Sequence, residues 1–418
     1  MFVLPKYIDF HEKDGAILIT SQLRQNTVKL SDPSIVDEFR SILRCGGCTE
    51  ISTPLQQFLH EQELLINEEE ISQSIAELKN ALNEVLILTL MPTEGCNFRC
   101  SYCYEDHAPT SMRRETLDQI QNYIAERAPE FRHVCIAWFG GEPTLCKDTI
   151  LETCDLVQTL QRRSHYTYSS SMTTNGYLLC LEDFQKYYRA GISSYQITLD
   201  GWTHDQTRPH ITGKGTLQKI LGNLIAISRL PKEDYQFHIT LRHNILPGDE
   251  DYSWYDHLNT LLGKDSRFSV LVRPVCDWGG DSVQSVDVLK GNAVNELLQK
   301  HVLYLEQIGM KCDNGKKGLL SRICYASYPH SLVFRASGKI EKCTICLDHP
   351  RNSVGYIDPE KGVVIDEKMN QLWCGGELKP ECYHCKDVLS CLNLHCKKSL
   401  IIDGNDDSSC SSLLPDMY

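Results

Sequence analysis

The sequence has no long apolar run. Nowhere in its 418 residues do about 18 apolar residues follow one another without interruption, the length a membrane-spanning helix needs. It has no basic excess either. Its 42 Lys and Arg stand against 55 Asp and Glu, a net charge of −13, which argues against nucleic acid or an anionic membrane as partner. No basic segment precedes an apolar stretch in the opening MFVLPKYIDFHEKDG, so no signal peptide is expected and the expected location is cytoplasmic. Tandem repeats and low-complexity tracts are missing as well. Against these absences stands an abundance: 20 cysteines. In a reducing cytosol, clustered cysteines serve more often as metal or redox ligands than as disulfides.

The cysteines are unevenly spread. Three fall within TEGCNFRCSYCYED, and ten lie from Cys312 to Cys410. Cys135, Cys154 and Cys180 sit in apolar or helical surroundings and read as small buried hydrophobes. Cys45 and Cys48 form an isolated C-x2-C pair without further ligands nearby.

Three zones follow from the patterning. Residues 1–84 carry short β-prone runs (KYIDFHE, AILITSQ, NTVKLSD) and then three helical patterns, a small α+β module. Ser31 or Asp32 can cap the first helix, with Pro33 in its first turn. Residues 85–291 alternate strand and helix. The strand candidates are VLILTLMP, VCIAWFGG, YSSSMTTNG, YQITLDG, FHITLRHNI and FSVLVRPV. Six such βα units predict an α/β fold, a parallel sheet curled into an open, partial (β/α)6 TIM-like barrel. Residues 292–418 open with the helical pattern AVNELLQKHVLYLEQIG and then read as cysteine-rich and loop-like.

Cys96, Cys100 and Cys103 follow the first barrel strand in C-x3-C-x2-C spacing, at the end where barrel enzymes place their chemistry. Three thiolates can hold an iron–sulfur cluster by three irons and leave the fourth open. The spacing i, i+4, i+7 also describes one helix face, but Gly95, Asn97 and the polar neighbours speak against a buried helix. With Tyr102 before the last cysteine, this stretch resembles the radical S-adenosylmethionine (SAM) enzymes. The resemblance implies that the open iron binds the amino and carboxylate groups of SAM. An electron from the [4Fe–4S] cluster then releases a 5′-deoxyadenosyl radical, which abstracts hydrogen from a substrate.

The later strand ends carry the same resemblance. WFGGEP offers Gly140, Gly141 and Glu142 for the methionine amino group. SMTTNG offers the short polar Ser171, Thr173 and Asn175. QITLDGWTHDQTR offers Arg208, whose guanidinium can grip a carboxylate with two hydrogen bonds. Asp200 and His204 are expected to order that loop, and Arg242 and Asn244 of LRHNI to approach the adenosine. His165 and His210 read as surface or packing residues.

The third zone resembles the SPASM extension found on such enzymes, which carries two auxiliary [4Fe–4S] clusters. Carried over by motif, Cys382, Cys385, Cys391 and Cys410 hold one cluster. Cys324, Cys343 and Cys396 hold the other, with Cys312 or Cys346 as its fourth ligand. Cys391 and Cys396 are separated by four residues where the family pattern has three. Cys343-x2-Cys346 and Cys382-x2-Cys385 also have zinc-ribbon spacing, so a zinc-stabilised peptide-binding scaffold remains the non-enzyme alternative.

SPASM-bearing enzymes mostly modify peptides. In the sulfatase-maturase branch, which makes formylglycine, an aspartate directly follows the G-x4-C cysteine. Here Thr344 follows Cys343, and Asp348 comes later. The other branch matures ribosomal peptides through thioether or carbon–carbon crosslinks. The N-terminal module resembles the peptide-recognition domains of such enzymes, where an edge strand can dock a leader by β-augmentation. The expected substrate is thus a precursor peptide that gains a thioether, with a small electron-donor protein as second partner.

Overall fold

The computed structural model describes residues 1–5, 8–21, 26–280, 282–288, 292–313, 323–374, 376, 378, 379, 382, 385, 388–392 and 396–404.

In the N-terminal module, β2 (Ile8–Lys13), β3 (Ala16–Ser21) and β4 (Thr27–Leu30) form an antiparallel sheet in that order, and β1 (Phe2–Val3) pairs with β5 (Ile66–Asn67). Three helices cover the sheet: α1 (Pro33–Cys45), α2 (Pro54–Glu61) and α3 (Glu68–Ala81). Their starts have local causes. The Asp32 side chain accepts from the amides of Ser34 (2.9 Å) and Ile35 (3.4 Å), and Thr53 and Asn67 each head a reciprocal capping box. Ile17, Ile19, Phe39, Leu59 and Ile75 fill the core between the layers. Each such side chain contributes roughly 1.5–3 kcal/mol by leaving water.

The second zone runs β6 (Val85–Leu90), α4 (Arg114–Arg127), β7 (His133–Trp138), α5 (Lys147–Arg163), β8 (Thr167–Thr174), α6 (Leu181–Arg189) and β9 (Ile192–Thr198). It continues through a single turn, α7 (His204–Thr207), then α8 (Leu217–Ser228), β10 (His238–Ile245), α9 (Ser253–Leu262) and β11 (Phe268–Pro274). The six strands pair in parallel in sequence order, as the alternation predicts. Every connection carries a helix outside the sheet, so each strand's C-terminal end opens toward the same rim.

The third zone departs from expectation. It begins with the predicted helix, α10 (Asn292–Gln307), but then builds strands where a loop was expected: β12 (Ser331–Phe334), β13 (Lys339–Glu341), β14 (Ser353–Asp358) and β15 (Gly362–Ile365). β12 pairs in parallel with β6, so the barrel sheet gains a seventh parallel strand and then an antiparallel extension, ten strands in all. The reason is burial. Leu332, Val333, Phe334 and Ile340 are shielded from water, and β6 would otherwise be an open edge. The zone closes with α11 (Glu367–Cys374), α12 (Val388–Cys391) and α13 (Lys397–Ile401).

A buried polar chain ties the outer helices to the sheet. The Tyr255 hydroxyl of α9 meets His243 Nδ1 of β10 and His301 Nδ1 of α10, each at 2.8 Å, and His301 Nε2 lies 2.8 Å from the Asp249 carbonyl. Burial holds the His301 imidazole down to about 4. In the unfolded chain it titrates near 6.5, so between these values the unfolded state binds more protons and stability is lost as the pH is lowered. Thermal melts are therefore expected to show Tm dropping as pH falls from 6.5 toward 4. His301→Gln should flatten that limb while lowering Tm at pH 7.5; an unchanged limb would refute the assignment.

Candidate functional site

The loops after β6, β7, β8, β9 and β10 meet at one rim and enclose a cavity of about 300 Å³. Cys96, Cys100 and Cys103 all line it. Their loop is fixed by backbone contacts on three sides. The amides of Arg99 and Ser101 donate to the carbonyls of Pro209 (2.9 Å) and Thr207 (2.8 Å), and Glu94 N donates to Thr110 O (2.8 Å). On the third side, Gly141 N donates to Thr93 O (3.2 Å) and Glu142 N to Gly95 O (3.0 Å).

Here glycine is required at both motif positions, and the first reason is the close approach of the chain to itself. A Cβ on Gly140 would sit 2.4 Å from Thr93 O, and one on Gly141 only 2.3 Å from Gly95 O. The two glycines let the chain approach its own cysteine loop, and their backbones then form part of the cavity wall. Glu142 lies behind that wall. It is fully buried and accepts from Thr144 N (3.1 Å), Thr174 Oγ1 (2.6 Å), Asn175 N (2.7 Å) and the Thr144 hydroxyl. With its lone pairs so engaged, the carboxylate braces the loops after β7 and β8 rather than facing a ligand.

On β8, Thr173 reaches the cavity, whereas Ser171 lies two residues deeper on the same face and is outside the lining. Asn175 lines it and donates to Asn97 Oδ1 (2.8 Å) and, at 3.9 Å, to Cys96 Sγ. At the β9 and β10 ends a polar net forms around Tyr102. Its hydroxyl donates to the Asp200 carboxylate and accepts from Arg208 Nη1 and Asn244 Nδ2, both at 3.0 Å. Asp200 also accepts from Thr207 Oγ1 (3.0 Å), and His204 Nδ1 accepts from Asp200 N (3.1 Å), so both residues order this loop. Arg208 Nε is buried without a partner among the described residues. His210 packs against Tyr177 and Phe98.

The cavity's chemistry suits a thiolate-ligated metal cluster and an anionic ligand group. Burial pushes the Cys96 and Cys103 thiols up to about 12 and raises Cys100 as well, so as bare thiols they stay protonated at neutral pH. A metal centre that replaces those protons would make the trio ionise together. The unpartnered Arg208 Nε offers a buried donor to a carboxylate. These observations fit a [4Fe–4S] cluster and SAM.

Further cavity residues come from the cysteine loop (Glu105, His107), from β9 (Gln196, Thr198) and from later in the chain (Cys276, Trp278, Tyr325, Thr344 and Ile345). Burial raises the Glu105 carboxyl to about 7. His107 adopts a left-handed backbone (φ 52°) that side chains rarely take, a signal no spacing rule carries. Arg335, at the end of β12, joins the two halves. It bonds Glu94 of the cysteine loop (2.9 Å), Glu341 (3.3 Å) and Asp348 (3.2 Å).

The C-terminal cysteines are partly brought together. The Cys324 thiol feels the charges of Cys343 and Cys396. Cys343 and Cys346 share a hydrogen bond that holds the Cys343 thiol down and pushes Cys346 up. Cys312 instead bridges to Val270 of β11, where its charged neighbours are Asp313, Glu306 and Arg273. Of the two candidate fourth ligands, Cys346 is therefore the one beside the set. Cys382 and Cys385 share a turn packed against the N-terminal core, and Cys391 ends α12. Cys410 lies outside the described residues.

Residues 90–261 match the model of the Radical SAM superfamily. The GTP 3′,8-cyclase of Haemophilus ducreyi is 34% identical over 138 residues, 32% of this chain and 38% of that protein. That of Tolumonas auensis is 31% identical over 162 residues, 38% of this chain and 45% of that protein. The chain thus spans less than half the length of these curated relatives. Native anSMEcpe with bound AdoMet superposes with a TM-score of 0.53 at 19% identity, covering 73% of this chain and 88% of its own. Streptococcus suis SuiB bound to precursor peptide SuiA gives 0.52 at 12% identity, covering 94% of each. At these identities the likeness is one of fold: the chain has the radical SAM fold.

Gly141→Ala tests the loop contact directly. Its methyl would displace the Gly95 carbonyl and with it Cys96. We expect a folded chain by circular dichroism that retains less iron than the wild type after anaerobic reconstitution. Full iron retention would show that the contact is dispensable.

Proposed function

We propose that this chain is a radical SAM enzyme that matures a peptide by forming a thioether. The observation that carries the reading is the shared cavity. One wall is built by Cys96, Cys100, Cys103, Asn175 and Arg208, and the opposite wall by Tyr325, Thr344 and Ile345 beside the C-terminal cysteines. When bound there, the [4Fe–4S] cluster and SAM would supply a 5′-deoxyadenosyl radical able to take a hydrogen atom from an unactivated carbon.

The chain's own residues would do the holding. Cys96, Cys100 and Cys103 would ligate three irons. The Gly140–Gly141 backbone would face the methionine amino group, and Arg208, backed by Tyr102 and Asp200, the carboxylate. Thr173, Arg242 and Asn244 would border the remaining nucleoside space, with Ser171 behind them. Cys324, Cys343, Cys346 and Cys396 would hold one auxiliary cluster, and Cys382, Cys385, Cys391 and Cys410 the other.

Three observations favour a peptide crosslink. The N-terminal module presents β2 as a sheet edge beside a groove of about 460 Å³ lined by Val3, Leu4, Ile8, Phe10, Phe39 and Ile71. An extended leader could add to that edge. The fold neighbours SuiB and anSMEcpe were solved with a precursor peptide and with a peptide. Finally, the position of the sulfatase-maturase base is held by Thr344, whose hydroxyl pairs with Tyr325 (2.9 Å). Asp348 is bound to Arg335 and Lys339, away from the cavity. Formylglycine formation would need another base, and the cyclase likeness covers only 32% and 38% of this chain.

Dithionite-reduced holoenzyme with SAM and a cysteine-containing precursor peptide should yield 5′-deoxyadenosine. The product should lose two hydrogens, and its cysteine should no longer alkylate with iodoacetamide. Absence of 5′-deoxyadenosine would sink the radical assignment, while an alkylatable product with the same mass loss would favour a carbon–carbon crosslink. Arg208→Lys should weaken SAM binding by about tenfold or more in calorimetry, because a point charge cannot replace the two-pronged grip.

A further inference from the structure

His107 lines the cavity from the chain that follows the three cysteines. Both of its ring nitrogens are buried, and neither has a hydrogen-bond partner among the described residues. Buried polar atoms are almost always paired, so two orphans on one ring point to a ligand. Much of the cavity's polar wall is already paired. Tyr102 binds Asp200, Arg208 and Asn244, Asn175 binds Asn97, and the Thr344 hydroxyl pairs with Tyr325. The ring is also held in place. His107 sits at φ 52°, a left-handed backbone uncommon outside glycine. The segment after it is pinned to the cysteine loop: Thr110 O accepts from Glu94 N (2.8 Å) and Thr93 Oγ1 (3.0 Å), and Thr110 N donates to Ala108 O (2.7 Å). Burial, helped by the Arg99 charge and opposed by Asp106, holds the imidazole below its ordinary range. At neutral pH it is uncharged and offers one N–H and one lone pair, whichever tautomer is present.

We propose that His107 is a catalytic residue whose free ring nitrogen accepts the proton of the substrate peptide's cysteine thiol inside the cavity. The inference rests on the thioether reading given above. In this step the S–H bond breaks, its electron pair stays on sulfur, and an N–H bond forms on the ring. A thiolate beside an imidazolium results, and no oxidant or reductant takes part. The step answers a need of that reaction. A free thiol titrates near about 8.5, so most of it is protonated at neutral pH, while the thiolate is the nucleophile. A cysteine paired with an imidazole is a recurrent way to meet that need. The residues after Cys343 do not supply it, since Thr344 is paired with Tyr325 and Asp348 with Arg335 and Lys339.

The test uses the full-length, anaerobically reconstituted enzyme with SAM, dithionite and a cysteine-containing precursor peptide. The wild type is measured first. If it releases no 5′-deoxyadenosine or forms no thioether, the functional reading fails before His107 is at issue. His107→Asn and His107→Gly are then compared with it, because Asn and Gly both accept a left-handed backbone while neither can take up the proton. Per 5′-deoxyadenosine released, the crosslinked peptide should fall by about a hundredfold in each variant. The deficit relative to wild type should shrink as the pH is raised from about 7 to about 9, where the substrate thiol ionises unaided. Crosslinking at the wild-type ratio in a variant that retains its iron would overturn the proposal. A deficit that stays constant over that pH range would overturn it too, since it would mark the ring as needed only for shape. A variant that loses iron would assign the ring to the metal centre and overturn the proposal equally.

Discussion

The site depends on a backbone contact between two loops. The carbonyls of Thr93 and Gly95 accept from the amides of Gly141 and Glu142, and this holds the loop after β6 against the loop after β7. The three thiols hang from the first loop, so their direction is set by the second. The contact is possible only because neither Gly140 nor Gly141 carries a Cβ. Glu142 extends the constraint one strand further, since its buried carboxylate gathers Thr174 and the Asn175 amide, and Asn175 returns to Asn97 between the cysteines. Carbonyls, amides and one carboxylate thus form a closed brace around the cysteine loop, which needs no side-chain flexibility to hold its shape.

A second brace runs the other way. β12 pairs with β6, and Arg335 at the end of β12 reaches Glu94. The chain that later supplies Cys343 and Cys346 is therefore anchored to the strand that introduces Cys96. Arg335 is 5% exposed and Glu341 fully buried, so this ion-pair hub sits in a setting where breaking one partner leaves an uncompensated charge. Such a hub is weak as a source of stability but strong as a specifier of relative position. Electron transfer between two cofactor sites would require that specificity.

Much of this was legible in the sequence. The six barrel strands, their order, and the polar residues at their C-terminal ends follow from alternation and motif, because parallel βα units leave strong periodic signals. The third zone was not. SLVF and KIE are short, separated by RASG, and surrounded by cysteines, so they carry too little pattern to separate a strand from a loop. Their strandedness comes from the open edge of β6, a tertiary fact. Glu142 shows a different limit. Motif reading finds the residue but not its direction, and the structure turns it away from the cavity. Arg335, Glu105 and His107 escaped notice because their partners are distant in sequence or their signal is a backbone angle. Cys346 could be separated from Cys312 only by proximity.

The two charged features of the C-terminal zone bear on the same chemical question. A base placed directly after Cys343 would serve a reaction that removes a substrate proton at that wall. Here that place is taken by Thr344, hydrogen-bonded to Tyr325, and the nearest following carboxylate, Asp348, is neutralised by Arg335 and Lys339. The zone also buries Lys342, whose Nζ donates to the Tyr328 carbonyl, Asn370 Oδ1 and Cys374 Sγ. Neither feature presents a free base to the cavity, whose own lining carboxyl is Glu105, raised to about 7 by burial. A proton-removing step at this wall would therefore fall to the cysteine loop and not to the residues after Cys343.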